Sequence, residues 1–224
     1  KRSNIKDLNH YIKELGKSVV DGAMGPWFSQ MLQADYYTWM GLTKLTAPWI
    51  SEGEISFPDA PRWTRVYLRY AHLAVLIQGE EYARLIGAAE AALIECQAKG
   101  YLVVRIYTHL LLATAYHRKG DKEHALIHIF KALGDALPDQ IYLPVIEFKW
   151  MLGDLMGEAF AALDIKMPVE IVNKGKMVEN SQKLLMRAAP GSYILPYNLT
   201  KREMDVAAMA AKGMSNKEIA SKLF

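Results

Sequence analysis

The stretch Leu112-Ala-Thr-Ala-Tyr-His-Arg-Lys-Gly-Asp-Lys-Glu-His-Ala-Leu-Ile-His-Ile-Phe-Lys-Ala-Leu133 decides which fold the sequence predicts. Apolar residues recur at three- and four-residue spacing on both sides of Gly120-Asp121, which is typical of two helices joined by a tight turn. The small side chains of Ala113, Ala125 and Ala132 leave room for these helices to approach closely. The stretch therefore predicts an antiparallel helix pair.

The helix pair is expected to recur along the chain. Gly79 and Gly120 each follow a long helical pattern and precede a polar turn, and they lie 41 residues apart. Helix pairs that repeat at about this period are typical of an α-solenoid. The small and apolar positions of the second pair resemble the tetratricopeptide repeat. The sequence thus predicts an all-α fold, a tetratricopeptide-like α-solenoid of antiparallel helix pairs, with residues 1–188 as one helical-repeat domain.

Two further segments follow the repeats. Residues 168–188 have a helical pattern, with Pro168 placed at the first turn, where proline is tolerated. Residues 189–198 are interpreted as a linker that Pro190-Gly191 and Pro196 stiffen. We expect the linker to position the C-terminal segment.

The C-terminal segment contains two helix starts of one kind. Thr200 with Glu203 three residues later, and Ser215 with Glu218, are capping boxes, in which each side chain bonds the backbone amide of the other residue. Between them, Gly213 lies where the first helix ends, and a positive φ is expected there. Two capped helices around a glycine turn predict the front half of a helix-turn-helix.

The order of residues in this segment is more specific than that. Leu199-Thr200-x-Arg202-Glu203, followed by Ala210-x-x-Gly213-x-Ser215-Asn216-x-Glu218-Ile219-Ala220-x-x-Leu223, closely resembles the opening of the LuxR-type DNA-binding domain. The resemblance covers residues 199–224, roughly the first half of that domain. The recognition helix follows in the family, so the resemblance implies DNA binding only through the complete helix-turn-helix. The residues that it assigns to the DNA-binding domain are Thr200, Lys201, Arg202, Glu203, Gly213, Ser215, Asn216, Lys217, Glu218, Ile219 and Ala220.

The whole chain resembles the MalT-like family of large regulators more loosely. Helical repeats lie beside a LuxR-type segment, and residues 136–148 look like the segment that closes the repeats in that family. Its members place an ATP-binding switch module before the repeats. No Gly-x-x-x-x-Gly-Lys-Ser/Thr motif occurs here, so no cofactor is expected in this chain, and ATP is expected only in a missing N-terminal module.

The MalT-like resemblance implies a function for the repeats. They are expected to sense an unknown small-molecule or protein effector, or a second copy of the protein, and to pass that state to the DNA-binding segment of a bacterial transcription regulator. The alternative is a helical-repeat scaffold that binds a peptide or partner protein in its groove. In both cases the repeat pattern predicts that Arg69, Tyr107, Thr114 and His117 face the concave groove.

Composition limits the remaining classes of function. A formal charge of +3 is too small to indicate nucleic-acid binding by itself. The single cysteine, Cys96, indicates a reducing compartment, and no apolar run is long enough to span a bilayer, so the cytoplasm is expected and a membrane partner is not.

Neither catalysis nor metal binding is predicted. The paired carboxylates Glu80-Glu81 have no nearby histidine or glycine elbow, so no enzyme activity is expected. His117, His124 and His128 flank the Gly120 turn among arginine and lysine residues, a cationic setting that disfavours a metal ion.

Overall fold

The computed structural model describes residues 14, 26–39, 43, 46–53, 64–188, 206, 209, 214 and 216–223. Within these ranges the regular structure is helical, without strands, which confirms the all-α helical-repeat fold. The chain divides into two compact units, residues 1–194 and residues 195–224.

The described part of the first unit contains nine helices. They are α1 (Pro26–Trp39), α2 (Pro48–Glu52), α3 (Arg65–Gln78), α4 (Tyr82–Lys99), α5 (Leu102–Arg118), α6 (Lys122–Ala136), α7 (Tyr142–Leu152), α8 (Asp154–Ala162) and α9 (Val169–Ala188).

The helices of the first unit form two layers. Helices α1, α3, α5 and α7 contact one another in chain order, and each of α3 and α5 also contacts the helix that follows it. Helix α6 contacts α8 in the second layer, while α9 packs on α7. Ala113, Ala125 and Ala132 are fully buried at the α5–α6 contact, as their size requires.

The turns between these helices share one backbone conformation. Glu80, Gly100, Gly120 and Gln140 have φ values of 58°, 69°, 82° and 55°, so a left-handed residue recurs every 20 positions. In each case the following amide donates to the carbonyl five residues earlier, which is the hydrogen bond of a Schellman helix end. These bonds are Glu81 to Leu76 (2.9 Å), Tyr101 to Cys96 (3.0 Å), Asp121 to Tyr116 (2.9 Å) and Ile141 to Ala136 (2.8 Å).

The spacing of these turns corrects the repeat period. Gly79 has a φ of −80°, so the residue equivalent to Gly120 is Glu80, and the helix pair repeats every 40 residues rather than 41. The repetition ends at Gly153, which closes α7 with a φ of 53° and ψ of −129°. Helices α7 and α8 are therefore shorter than the preceding pairs.

The second unit contains helix α10 (Asn216–Leu223). Ile219 is buried, whereas its neighbour Ala220 is exposed. The amide of Met214 donates to the carbonyl of Met209 at 3.2 Å, which is the spacing of the helix ends in the first unit.

Several predictions fall outside the described residues. They are the linker at residues 189–198 and the positions of Thr200, Lys201, Arg202, Glu203, Gly213 and Ser215. The domain boundaries remain predictions. None of the helices in the described ranges is long and apolar enough to cross a membrane.

Candidate functional site

One repeat position supplies three side chains to a single cavity. Tyr67 on α3, Tyr107 on α5 and Glu147 on α7 are separated by the 40-residue period, so they occupy equivalent places on successive helices of one layer. All three line a cavity of about 270 Å³. The other described residues that line it are Met31, Leu32, Asp35, Tyr70 and Ala71.

The side chain of Tyr107 is fixed on three sides. Its hydroxyl donates to Oε2 of Glu147 at 2.5 Å. Its ring centroid lies 5.2 Å from that of Tyr70, with the planes tilted by 50°, and 6.0 Å from that of Phe148 in an edge contact. Phe148 is fully buried, so the ring of Tyr107 rests on the core of the unit.

The cavity concentrates negative charge. Burial raises the pKa of Glu147, the nearby charge of Asp35 raises it further, and the hydrogen bond from Tyr107 opposes both effects. The pKa of Tyr70 is also raised, first by burial and then by Asp35. Burial, followed by the hydrogen bond to Glu147, raises the pKa of Tyr107, so its hydroxyl remains a neutral donor.

Helix α9 contributes to a second cavity beside the first. This cavity of about 470 Å³ shares Asp35 and Glu147 with the first. The remaining lining residues in the described part of the chain, all on α9, are Met177, Val178, Ser181 and Gln182. Helices α1 and α9, which are far apart in sequence, therefore both line the cavity that contains the two carboxylates.

Helix α9 approaches α7 closely because of a glycine. A Cβ atom added at Gly175 would lie 2.7 Å from Cδ of Lys149, which is closer than side-chain atoms pack. Ile171, one turn earlier, is fully buried. Gly175 and Ile171 thus hold α9 against the helix that carries Glu147.

Of the four residues predicted to face the groove, only Tyr107 lines this cavity. Arg69 pairs with Glu95 of α4, with its Nε 3.1 Å from Oε2. Thr114 is buried and its hydroxyl donates to the Leu110 carbonyl at 2.8 Å, so its expected place on an open groove is corrected. His117 is half-buried.

The sequence prediction missed four lining residues that matter most. Tyr67, Tyr70, Asp35 and Glu147 were not assigned to the groove. A period of 40, anchored at Glu80, would have aligned Tyr67 and Glu147 with Tyr107. Nothing in the spacing marks Asp35, because α1 lies before the regular repetition begins.

The opposite side of α5 carries a cluster of rings. Nδ1 of His109 lies 3.0 Å from Nδ1 of His128, so one ring donates and the other accepts. Tyr116 stacks on His128, with centroids 5.6 Å apart, and on His124, at 5.0 Å. His124 also bonds the carboxylate of Asp121 at 2.8 Å.

The histidine cluster shows no metal-binding geometry. Among the described residues, no three histidine, cysteine or acidic side chains converge on a point that could hold a metal ion. Burial lowers the pKa of both His109 and His128 to about 4, assisted by repulsion from neighbouring cationic groups such as Lys131. The two rings are therefore neutral near pH 7 and bond each other.

The predicted DNA-binding residues that the structure describes lie on α10. Asn216, Lys217, Glu218, Ile219 and Ala220 form its first five positions, and the carboxylate of Glu218 is exposed in its first turn. An acidic residue in that turn stabilises a helix, because the N-terminus carries positive partial charge.

Comparison with known proteins assigns this segment. Residues 197–224 match the family described as bacterial regulatory proteins, luxR family (GerE). No curated protein and no solved structure matches the chain. The match supports a LuxR-type regulator, which implies a protein that binds DNA and regulates transcription.

Proposed function

We propose that the chain is the effector-sensing and DNA-binding-linked region of a bacterial transcription regulator arranged as in the MalT-like family. The observation that carries this proposal is the cavity of about 270 Å³. It is lined by residues of α1 and by Tyr67, Tyr107 and Glu147, which occupy the equivalent position in three successive repeats. Concave cavities with apolar walls and a few polar groups are the usual form of a small-molecule site.

The arrangement of helices provides a route for regulation. A ligand between the two cavities contacts α1, α3, α5, α7 and α9 together, so it stabilises the arrangement of helices that fits it. A ligand shifts a conformational equilibrium only by its difference in affinity for the two states. Helix α9 directly precedes residues 189–224 in the chain, so a change in its packing is the change that reaches the LuxR-type segment first.

The remaining parts of the proposal follow the family arrangement. DNA is bound through the complete helix-turn-helix, and ATP, where used, belongs to a module outside this chain. The protein acts in the cytoplasm, where the single cysteine, Cys96, stays reduced. Cys96 is buried and its pKa is raised to about 11 by burial, which is the behaviour of a packing residue rather than a nucleophile.

The test fills the cavity and measures gene regulation. Leu32 lines the cavity and is 36% exposed, so Leu32→Trp can fill the space without entering the core. Ile94 on α4 is 72% exposed and lines neither cavity, so Ile94→Trp is the matched control. Each variant replaces the chromosomal copy of the full-length gene, and transcripts are profiled across growth conditions.

We expect the Leu32→Trp strain to lose the condition-dependent part of the response that a deletion strain also loses. The Ile94→Trp strain should retain it. A Leu32→Trp protein with wild-type circular dichroism and an unchanged transcript response would contradict the proposed sensing role. An effect of both variants would indicate a protein-binding surface that is not confined to the cavity.

A further inference from the structure

We propose that the cavity binds the organic ammonium or guanidinium group of its ligand, with the cation held between the Glu147 carboxylate and the faces of Tyr67, Tyr70 and Tyr107. This inference rests on the proposed function, because it names the chemical class of the effector. It commits to a cationic ligand with a short apolar portion.

The charges of the described lining residues favour a cation. The two cavities share two carboxylates, those of Asp35 and Glu147, and none of their described lining residues is lysine, arginine or histidine. The nearby charge of Asp35 disfavours ionisation of Glu147. A bound cation relieves this repulsion, whereas a bound anion increases it.

The hydrogen bonding of Glu147 also favours a cation. Its Oε2 accepts a hydrogen bond from the hydroxyl of Tyr107, which is a neutral donor, and no lysine, arginine or histidine is among the described residues that line the cavities with it. A half-buried carboxylate that is compensated only by a neutral group is costly, and a charge-assisted hydrogen bond from an ammonium group is stronger than a neutral one. Among the described residues, Glu147 therefore has no positively charged partner, and a ligand can bring one.

Aromatic rings form one wall of the cavity. The rings of Tyr70 and Tyr107 lie 5.2 Å apart and are inclined by 50°, so they form two sides of an angular recess, and Tyr67 lines the same cavity. A cation over the face of a tyrosine ring is attracted by its quadrupole, by about 0.5–2 kcal/mol depending on exposure. Met31 and Leu32 supply an apolar surface for an alkyl chain.

The same group can come from a free amine or from a lysine side chain of a peptide. The probes are therefore n-butylammonium, 1-pentanol and valerate, which have straight alkyl chains of similar length but differ in charge, with maltose and the peptide acetyl-Ala-Ala-Lys-Ala-Ala-amide as further arms. Binding to residues 1–224 is followed by the carbon-13 methyl signal of Met31, assigned from its loss in Met31→Leu.

We expect n-butylammonium to bind at least tenfold more tightly than 1-pentanol and valerate not to bind. Glu147→Gln should remove this preference, and Asp35→Asn should weaken it. Glu90→Gln, the same change at an exposed glutamate on α4, should leave it intact. Tighter binding of the peptide than of n-butylammonium would assign the ammonium group to a protein partner.

Equal binding of the alcohol and the amine, preferential binding of valerate or maltose, or no binding by any probe would overturn the inference. An unchanged preference in a folded Glu147→Gln protein would do so as well. These results are separable from the sensing role. If Leu32→Trp abolishes regulation while maltose alone binds, the cavity is the sensor but its ligand is not a cation. If the amine binds while Leu32→Trp regulates normally, the cavity binds cations and regulation lies elsewhere.

Discussion

Helix α5 carries ionisable groups on two sides, and they are used differently. On one side, Tyr107 contacts Glu147 and the rings of Tyr70 and Phe148, beside an open cavity. On the other side, two residues later, His109 bonds directly to His128 on α6. Burial acts on both sides against the charged form, since it raises the pKa of Glu147 and lowers those of the histidines.

The two sides of α5 differ in whether their polar groups satisfy one another. The two imidazoles satisfy each other at 3.0 Å because a neutral ring can donate while its partner accepts. The carboxylate of Glu147 is hydrogen-bonded by Tyr107 but keeps its charge when ionised. Complementary neutral groups therefore satisfy each other on one side of α5, whereas the proposed ligand site lies on the other side.

The largest effect on stability is expected from removing the ring of Phe148, on which Tyr107 packs. Phe148 is fully buried beneath Tyr107, so Phe148→Ala should lower the free energy of unfolding by about 3–5 kcal/mol. Urea denaturation followed by circular dichroism measures this. A loss below about 1 kcal/mol would mean that Tyr107 does not rest on the core, and the contrast between the two sides would fail.

An intermediate effect is expected from acid on the histidine side. In the folded protein the pKa of both His109 and His128 is about 4, below the ordinary pKa of histidine. At a pH between about 4 and that ordinary pKa, the unfolded state therefore binds more protons than the folded state. The contribution of the two histidines to the free energy of unfolding should therefore be fully present above about pH 6.5. It should fall as the pH is lowered towards about 4, by on the order of 2 kcal/mol after allowance for partial exposure.

The measurement is urea denaturation at several pH values for the wild type and for His128→Phe. The phenylalanine ring keeps the stack on Tyr116 but cannot be protonated, so the slope with pH should become shallower. An identical slope in both proteins would show that the histidine pair does not titrate as the structure requires.

The smallest effect on stability is expected from removing the hydroxyl of Tyr107. Tyr107→Phe keeps the ring contacts but removes the donor to Glu147, which should cost about 1–2 kcal/mol of unfolding free energy. Tyr101→Phe is the control, because Tyr101 packs through its ring at the edge of a smaller core cluster. Equal small losses in both variants would remove the hydrogen bond from the description of the site.

The sequence predicted the elements more completely than the site. Gly120 and the small residues of α5 and α6 marked the helix pair, and the capping pattern after residue 199 identified the segment that matches the LuxR family. The repeat register was off by one residue, because Glu80 takes the left-handed conformation that glycine takes at residue 120. A pattern search for glycine cannot detect such a position.

The polar contacts of the site depend on tertiary neighbours. Thr114 could not be recognised as buried, because its hydroxyl is satisfied by the preceding turn of its own helix. His109 was missed because its partner lies 19 residues away, on the facing helix. The place of Glu147 in the site can be recognised only once Tyr107 and Asp35 are known to lie beside it, and neither is its neighbour in sequence.

The cavity that α1 and α9 both line also bears on how the array of repeats unfolds from its ends. Arrays of this kind can open from either end, because each repeat contacts only its neighbours. Asp35 on α1 and Met177 on α9 line one cavity, although almost the entire described unit separates them in sequence. Under the proposed function, a ligand in this cavity would contact both α1 and α9, so fraying of either end would release it. Its binding free energy accordingly opposes proteolytic trimming at both ends of the array at once.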